Sequence, residues 1–472
     1  MPSEKRTPVR EAASVHFVGI SGIGMSALAR ILLQRGVRVS GSSDRATALT
    51  AALAAEGAGI SIGHSPANLG EATRVIVSSA ISEENPELAA ARALGLDVLR
   101  RGTLLAEMMA TKRGIAISGT HGKTTTTAMA ACVLEAGGID PTVVIGGERV
   151  DTGTNARVGA SEWFLGESDE SDRSFLELRP EIVVLTNVEN DHIDSDADLP
   201  ALVAAFTAFL DRVPAYGLVL VGNDDPRARD IGKLPRAART LTFGFGEADV
   251  VASERRFAGF GSTSRISANG SRLGELRLHV PGEINILDAL PAIGIGLELG
   301  VPFETAADAL AAFRGVRRRF EILASTPRMT VVEDYAHHPT AVAATIAAAR
   351  GDFEGPIVVA FQPHRYSRTR YLAAAFARAL RGADRIVLTD VYAASEPPLA
   401  GVSSRSIGAP LEALGGQVEY VARADELPEY LLENAPEGAL VLLFGAGSIT
   451  TAAARLASEV REAAERPEIL RR

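Results

Sequence analysis

The sequence predicts an α/β protein made of three successive parallel-sheet units. Three observations carry that prediction. Short β-branched runs alternate with alanine-rich helical stretches along most of the chain. The rhythm restarts after two basic junctions, Lys112-Arg113 and Arg317-Arg318-Arg319. And 472 residues exceed what one hydrophobic core usually organises. Hydrophobic residues make up 46% and charged residues 22%, so there is ample apolar surface to bury and no signature of a disordered, collagen-like or disulfide-scaffold chain. The 48 Lys and Arg stand against 58 Asp and Glu, a net charge of −10, which disfavours nucleic acid or an anionic membrane as partner.

In the first unit the strands are read at Val15 to Ile20, Arg38 to Ser40 and Arg74 to Ser78. Gly19, Gly22 and Gly24 follow the first of them and precede a helix beginning near Met25, the setting of a phosphate-binding turn. Asp44 lies 20 residues after Gly24, so a dinucleotide fingerprint and a nicotinamide-dependent oxidoreductase are one reading, although the spacing is Gly-x-x-Gly-x-Gly. The second unit opens at Gly114 to Ser118 and continues through Glu181 to Asn187 and Leu218 to Gly222. It ends in Thr240 to His279, where a period near two suggests a small appended antiparallel sheet. The third carries Met329 to Val332, Pro356 to Phe361, Arg385 to Thr389 and Ala439 to Phe444. The expected domains are 1–112, 113–323 and 324–472.

Cys132 is the only cysteine, which excludes an intramolecular disulfide and a cysteine-built zinc site and suits a reducing compartment. The apolar runs are shorter than the roughly 18 residues of a membrane span, and the N-terminus does not read as a signal peptide. A cytoplasmic location is expected.

The strongest chemical signal is Gly119-Thr120-His121-Gly122-Lys123-Thr124-Thr125, between the strand Ile115 to Ser118 and the helix Thr126 to Glu135. Backbone N–H groups of such a loop wrap phosphate oxygens, Lys123 adds a point charge, and the Thr124 hydroxyl can hold Mg²⁺. Two residues separate the glycines instead of four, so this is a shortened phosphate loop, and ATP is the expected ligand. Mg²⁺ needs a further hard oxygen ligand from a neighbouring strand end. Glu167-Ser168-Asp169-Glu170-Ser171-Asp172 offers one; read as residues alone, His192 in Asp191-His192-Ile193-Asp194 is more readily structural than a ligand.

At this point the chain resembles the ATP-dependent Mur ligases of peptidoglycan synthesis over nearly its whole length. The resemblance rests on Gly19-Ile20-Ser21-Gly22-Ile23-Gly24-Met25, Gly119 to Thr125, Gly153-Thr154-Asn155-Ala156-Arg157 and Glu170 to Leu176. It continues through Thr186-Asn187 to Asp191-His192, Gly315 to Phe320, Tyr335-Ala336-His337-His338-Pro339-Thr340, and Phe361-Gln362-Pro363-His364-Arg365-Tyr366-Ser367-Arg368-Thr369. It implies a Rossmann-like N-terminal domain for a UDP-sugar, a central P-loop ATPase domain and a Rossmann-like C-terminal domain for the amino acid. The implied activity is ligation of L-alanine to the carboxylate of UDP-N-acetylmuramate, with ATP and Mg²⁺, by a monomer or homodimer. A relative that recycles a tripeptide onto the same sugar shares the Thr-His-Gly-Lys-Thr loop, and Ala336 leans towards it; Glu170 to Leu176 and Gly22 to Met25 lean towards the alanine branch.

The resemblance also implies roles. Thr124, Glu167 and His192 become magnesium-site residues. Asn285 and Arg318 join Gly119 to Thr125 at ATP, although Ile284 and Asp288 depart from the family's usual His and Asn. Gly19, Ser21, Gly22, Ile23 and Gly24, with Asp44, His64, Ser79, Arg101, Asn155 and Arg157, are expected around the UDP-sugar. Tyr335, His337, His364, Arg365 and Arg368 are expected around alanine, where a bidentate arginine can hold its carboxylate. Lys123, His192, Arg365 and Arg368 would neutralise a phosphoryl group moving onto an anionic carboxylate. The acyl phosphate so formed would be displaced by the amine. A UDP-sugar-binding sensor that uses ATP only to set conformation is the non-enzymatic rival.

Overall fold

The computed structural model describes residues 14–170, 173–189, 199–394 and 396–465. Three sheets follow one another along the chain. The first comprises β1 (Ser14–Val18), β2 (Arg38–Ser43), β3 (Gly59–Ile62), β4 (Arg74–Val77) and β5 (Asp97–Arg100), all parallel in the order β3-β2-β1-β4-β5. The chain turns from one side of β1 to the other between β3 and β4, which leaves a crevice at the carboxyl end of β1, where ligands bind in open α/β sheets. The glycine loop and the start of helix Ile23–Gln34 occupy that end.

The central sheet has ten strands: β6 (Arg113–Ser118), β7 (Thr142–Val144), β8 (Ala156–Arg157), β9 (Trp163–Glu167), β10 (Ile182–Leu185), β11 (Leu218–Gly222), β12 (Arg239–Gly244), β13 (Val250–Ala258), β14 (Gly261–Ala268) and β15 (Ser271–Leu278). Their order is β15-β14-β13-β12-β11-β10-β6-β9-β7-β8. Ile115, Ala116 and Ile117 of β6 are fully buried, as expected of a parallel strand covered on both faces. Helix Lys123–Ala136 packs between this sheet and helix Glu283–Glu298. The antiparallel hairpins β13–β15 are not a separate layer: β13 pairs in parallel with β12 at Phe243 and Gly244, so they extend the same sheet.

The third sheet is β16 (Glu321–Ser325), β17 (Met329–Asp334), β18 (Ile357–Phe361), β19 (Arg385–Leu388), β20 (Val418–Tyr420) and β21 (Ala439–Phe444), in the order β16-β17-β21-β18-β19-β20. Only β16 runs antiparallel. Since β16 belongs here, the central and C-terminal sheets part before Glu321, a few residues ahead of the boundary read at 323. No helix among the described residues is long and apolar enough to cross a membrane.

Candidate active site

The phosphate loop leaves β6 where its neighbours β9 and β10 also end, so three strand termini converge. Gly119 and Gly122 have φ of +127° and +81°. A Cβ on Gly122 would lie 2.2 Å from Asp288 Oδ1, so glycine is required there by backbone conformation and by space. The end of β10 pins the loop: the His121 amide donates to Asn187 Oδ1 at 2.8 Å and Thr186 Oγ1 donates to the His121 carbonyl at 2.7 Å. Gly122→Ala should therefore cost about 1–2 kcal/mol from the left-handed backbone alone, displace Asp288 and weaken ATP binding; a melting curve with and without nucleotide checks this.

Lys123 folds back over this loop, donating to the carbonyls of Gly119 at 2.6 Å and Thr120 at 2.9 Å and pairing with Glu170 Oε2 at 2.8 Å. Burial works against the ammonium, but Glu170, Glu167 and Asp169 outweigh it and raise the Lys123 pKa. Burial pushes the Glu170 carboxyl up to about 7, with Lys123 opposing and Asp169 reinforcing the rise. A folded-state pKa above the unfolded one means the folded state binds more protons between about 4.5 and about 7. Glu170 should thus erode stability as pH climbs through that window. Glu170→Gln should flatten that part of the stability-versus-pH curve, as thermal melts across a pH series would show.

Thr124 and Glu167 meet as the sequence suggested. Thr124 Oγ1 donates to Glu167 Oε2 at 2.9 Å, and the Gly146 amide donates to the same oxygen at 2.8 Å. Arg319 Nη2 reaches Thr124 Oγ1 at 3.4 Å. A carboxylate and a hydroxyl beside the loop form a hard-oxygen pair of the kind Mg²⁺ takes. His192, the third proposed ligand, lies outside the described residues.

Asp288, buried against the loop and touched by Thr126 Oγ1 at 3.4 Å, has its pKa raised by burial to about 8. It lies against Gly122 and Thr126, under the loop. Asn285, in the first turn of helix Glu283–Glu298, donates its side-chain amide to the Pro281 carbonyl at 2.6 Å, tying the helix start to the chain before it.

Around the first glycine loop, a Cβ on Gly24 would come within 3.0 Å of the Arg101 guanidinium, which bonds Asp169 of the central domain at 2.8 Å. Ser21 Oγ accepts from Ser43, and Ser79 is exposed nearby on the chain after β4. His64 pairs with Asp44 at 3.1 Å through Nε2 and with buried Glu87 at 3.2 Å through Nδ1. Although burial works against its charge, hydrogen bonds from His16, Ser42, Asn68 and His64 hold Glu87 down to about 2. Asn155 is fully buried beneath the loop, donating to the Ile23 carbonyl at 2.8 Å and to Ser26 Oγ at 3.0 Å and accepting from Arg30. Its side chain braces the loop from behind. Arg157 turns to Asp140 and Glu135, beside the carboxyl end of helix Lys123–Ala136.

In the C-terminal domain β17 delivers Tyr335, His337 and His338, and β18 delivers His364, Arg365 and Arg368. The rings of Tyr335 and His337 are 4.9 Å apart, those of His337 and His364 5.8 Å, and His364 stacks on Tyr392 at 5.6 Å. Arg368 is buried with Nη1 3.5 Å from His364 Nδ1. Arg365, at φ +70°, caps helix Tyr366–Leu380 and is exposed. The two arginines therefore share the first turn but differ in environment. Arg318 donates to Glu333 at 2.9 Å and to the Gly445 carbonyl and lies 4.8 Å over the Tyr335 ring, whereas its neighbour Arg319 points to the loop. Arg319, Glu87 and Glu170 were not singled out from the sequence. Arg319 stood in the basic run, but nothing in a run of three arginines says which one reaches the phosphate loop.

Three domain models match in succession: "Mur ligase family, catalytic domain" over residues 14–113, "Mur ligase middle domain" over 117–296 and "Mur ligase, glutamate ligase domain" over 318–447. The UDP-N-acetylmuramate--L-alanine ligase of Solibacter usitatus is 45% identical over 95% of both chains. The crystal structure of a UDP-N-acetylmuramate-alanine ligase from Thermotoga maritima is 32% identical, covers 95% of this chain and 99% of its own, and superposes with a TM-score of 0.83. A murein peptide ligase from Psychrobacter arcticus, 24% identical with a TM-score of 0.73 over 94% of this chain and 98% of its own, shares the fold. The three matched segments coincide with the three sheets and keep their order, and the likeness runs from one end of the described chain to the other: this protein belongs to the Mur ligase family.

Proposed function

We propose that the protein is the ligase that joins L-alanine to the lactyl carboxylate of UDP-N-acetylmuramate at the expense of ATP, a step in peptidoglycan precursor synthesis. The observation that carries this reading is the convergence of Lys123, Thr124, Glu167 and Arg319 at the end of β6, beside a C-terminal cluster holding a buried arginine. Relatives bearing the alanine-ligase name are 45% and 32% identical over 95% of the chain, against 24% over 94% for the murein peptide ligase, which favours alanine over the tripeptide. The hydride-transfer reading finds no support among them.

ATP supplies a phosphoryl group that turns the sugar carboxylate into an acyl phosphate, and the neutral amine then attacks the acyl carbon and expels phosphate. Lys123 holds the β- and γ-phosphates, exchanging its bond to Glu170 for theirs. Arg319, already at Thr124, adds positive charge on the side facing the C-terminal domain. Thr124 and Glu167 would hold Mg²⁺, with His192 as a third ligand. The first glycine loop receives the diphosphate of the sugar nucleotide, Arg101 and the Asp44–His64 pair flank it, and Asn155 fixes the loop. Arg368 and Arg365 clamp the alanine carboxylate, with Tyr335, His337 and His364 forming the wall. We place the reaction in the cytoplasm, where both nucleotides are available.

Phosphate release over an amino-acid panel with UDP-N-acetylmuramate tests the reading: activity requiring alanine supports it, and activity with tripeptide alone overturns it. Glu167→Gln should raise the Mg²⁺ concentration needed for half-maximal rate, while Asp169→Asn should not; the reverse pattern would move the metal to the other carboxylate.

A further inference from the structure

Outside the magnesium pair, one other group of metal-ligating side chains closes up among the described residues, at the junction of the central and C-terminal domains. His121 comes from the phosphate loop, Glu189 from the segment after β10, and His338 from the residue that precedes helix Pro339–Asp352. His121 Nε2 is 2.8 Å and His338 Nδ1 3.7 Å from the same oxygen, Glu189 Oε2. One ligand atom from each residue lies within 4.8 Å of the other two. The two imidazoles face one another with centroids 5.1 Å apart at 34°.

We propose that His121, Glu189 and His338 form a binding site for a borderline transition-metal ion such as Zn²⁺ or Co²⁺, distinct from the magnesium site and bridging two domains. Two imidazole nitrogens and one carboxylate suit these ions, whereas Mg²⁺ selects oxygen. Zinc bonds to such ligands are about 2.0–2.2 Å, so neighbouring donors in a tetrahedral site stand about 3.4 Å apart. The His338–Glu189 separation is already close to that. The His121–Glu189 contact has to open by about half an ångström as the hydrogen bond gives way to the metal. His121 sheds any extra proton in doing so, and water completes the coordination. Because His338 belongs to a different domain from the other two ligands, an ion here ties the C-terminal domain to the phosphate loop. The proposal does not depend on the ligase reading.

The test is made on the full-length protein in excess Mg²⁺, following visible d–d absorption on adding Co²⁺ and the heat of Zn²⁺ binding. One ion per chain is expected, with Zn²⁺ displacing Co²⁺ and raising the melting temperature. His338→Gln should weaken binding by at least about tenfold, since removing even an outer-shell partner of a metal ligand costs that much; Glu167→Gln should leave it unchanged. Should His338→Gln fail to fold, Glu189→Gln, at a partly exposed position, makes the same comparison. No binding in excess Mg²⁺, binding that survives loss of His338 or Glu189, or binding abolished by Glu167→Gln would overturn the proposal.

Discussion

Lys123→Ala is expected to lower turnover by about 10³-fold or more, because one cation poised on a transferring phosphoryl group is worth that much where little else is covalent. The structure adds a second consequence. Lys123 is the partner of Glu170, which is 4% exposed, so the substitution strands a buried carboxylate. Breaking such a pair can cost about 3–5 kcal/mol when the remaining charge persists. Here it need not persist: with its pKa already near 7 in the presence of Lys123, the Glu170 carboxyl stays protonated at neutral pH once the ammonium is gone. The melting temperature should drop modestly at pH 7 and more at pH 8.5. Lys123→Ala/Glu170→Gln should regain the melting temperature at high pH without regaining turnover. Near-normal turnover in either variant would sink the phosphate-loop assignment.

Arg368→Ala should cost about 2–4 kcal/mol of transition-state stabilisation, a fall in kcat/KM of about 30- to 1,000-fold. A charge-assisted clamp in a closed site is worth far more than a surface arginine, whose loss shifts stability by about 0.5 kcal/mol at most. Arg365 provides the internal comparison. It is exposed and caps the same helix, so its replacement should act mainly on KM for alanine, while loss of buried Arg368 beside His364 should also lower kcat. UDP-N-acetylmuramate should bind both variants as it binds the wild type in calorimetry, since its proposed site is on the first domain. Lost sugar-nucleotide binding with normal alanine dependence would reverse this division.

The parallel architecture was legible because its central strands are continuous apolar runs: β1, β6, β11, β18 and β21 appear in the sequence nearly as they stand in the sheets. The strands that escaped notice lie at or near sheet edges. Gly59–Ile62 and Val418–Tyr420 bury little and alternate weakly, and Glu321–Ser325 hides behind the arginine run. The phosphate loop announced itself because its chemistry is local, a strand, two glycines and a lysine in order. Glu167 could be chosen over Asp169 only by likeness to the family, and the structure places the former on Thr124 and the latter on Arg101. Asn155 stands on its motif in the sequence, but that its amide meets Ile23, Ser26 and Arg30 is visible only in the fold. Contacts across 125 or more residues, such as Arg30 to Asn155, leave no periodic trace in a single sequence.

That same buried asparagine bears on how the enzyme can be taken apart. The loop proposed to hold the sugar nucleotide stands on a floor contributed by the following domain, and Arg101 reaches across to Asp169 beside it. The first hundred residues are consequently not a portable module. Expressed alone, or grafted onto a foreign ATPase domain lacking an asparagine at this place, they would present a loop that has lost its brace, with Arg30 left to Glu56 and Ser26 to the Ile23 carbonyl. Chimeras that exchange substrate specificity between family members should keep the junction intact by swapping the first domain together with Gly153 to Arg157, so that the brace travels with what it supports.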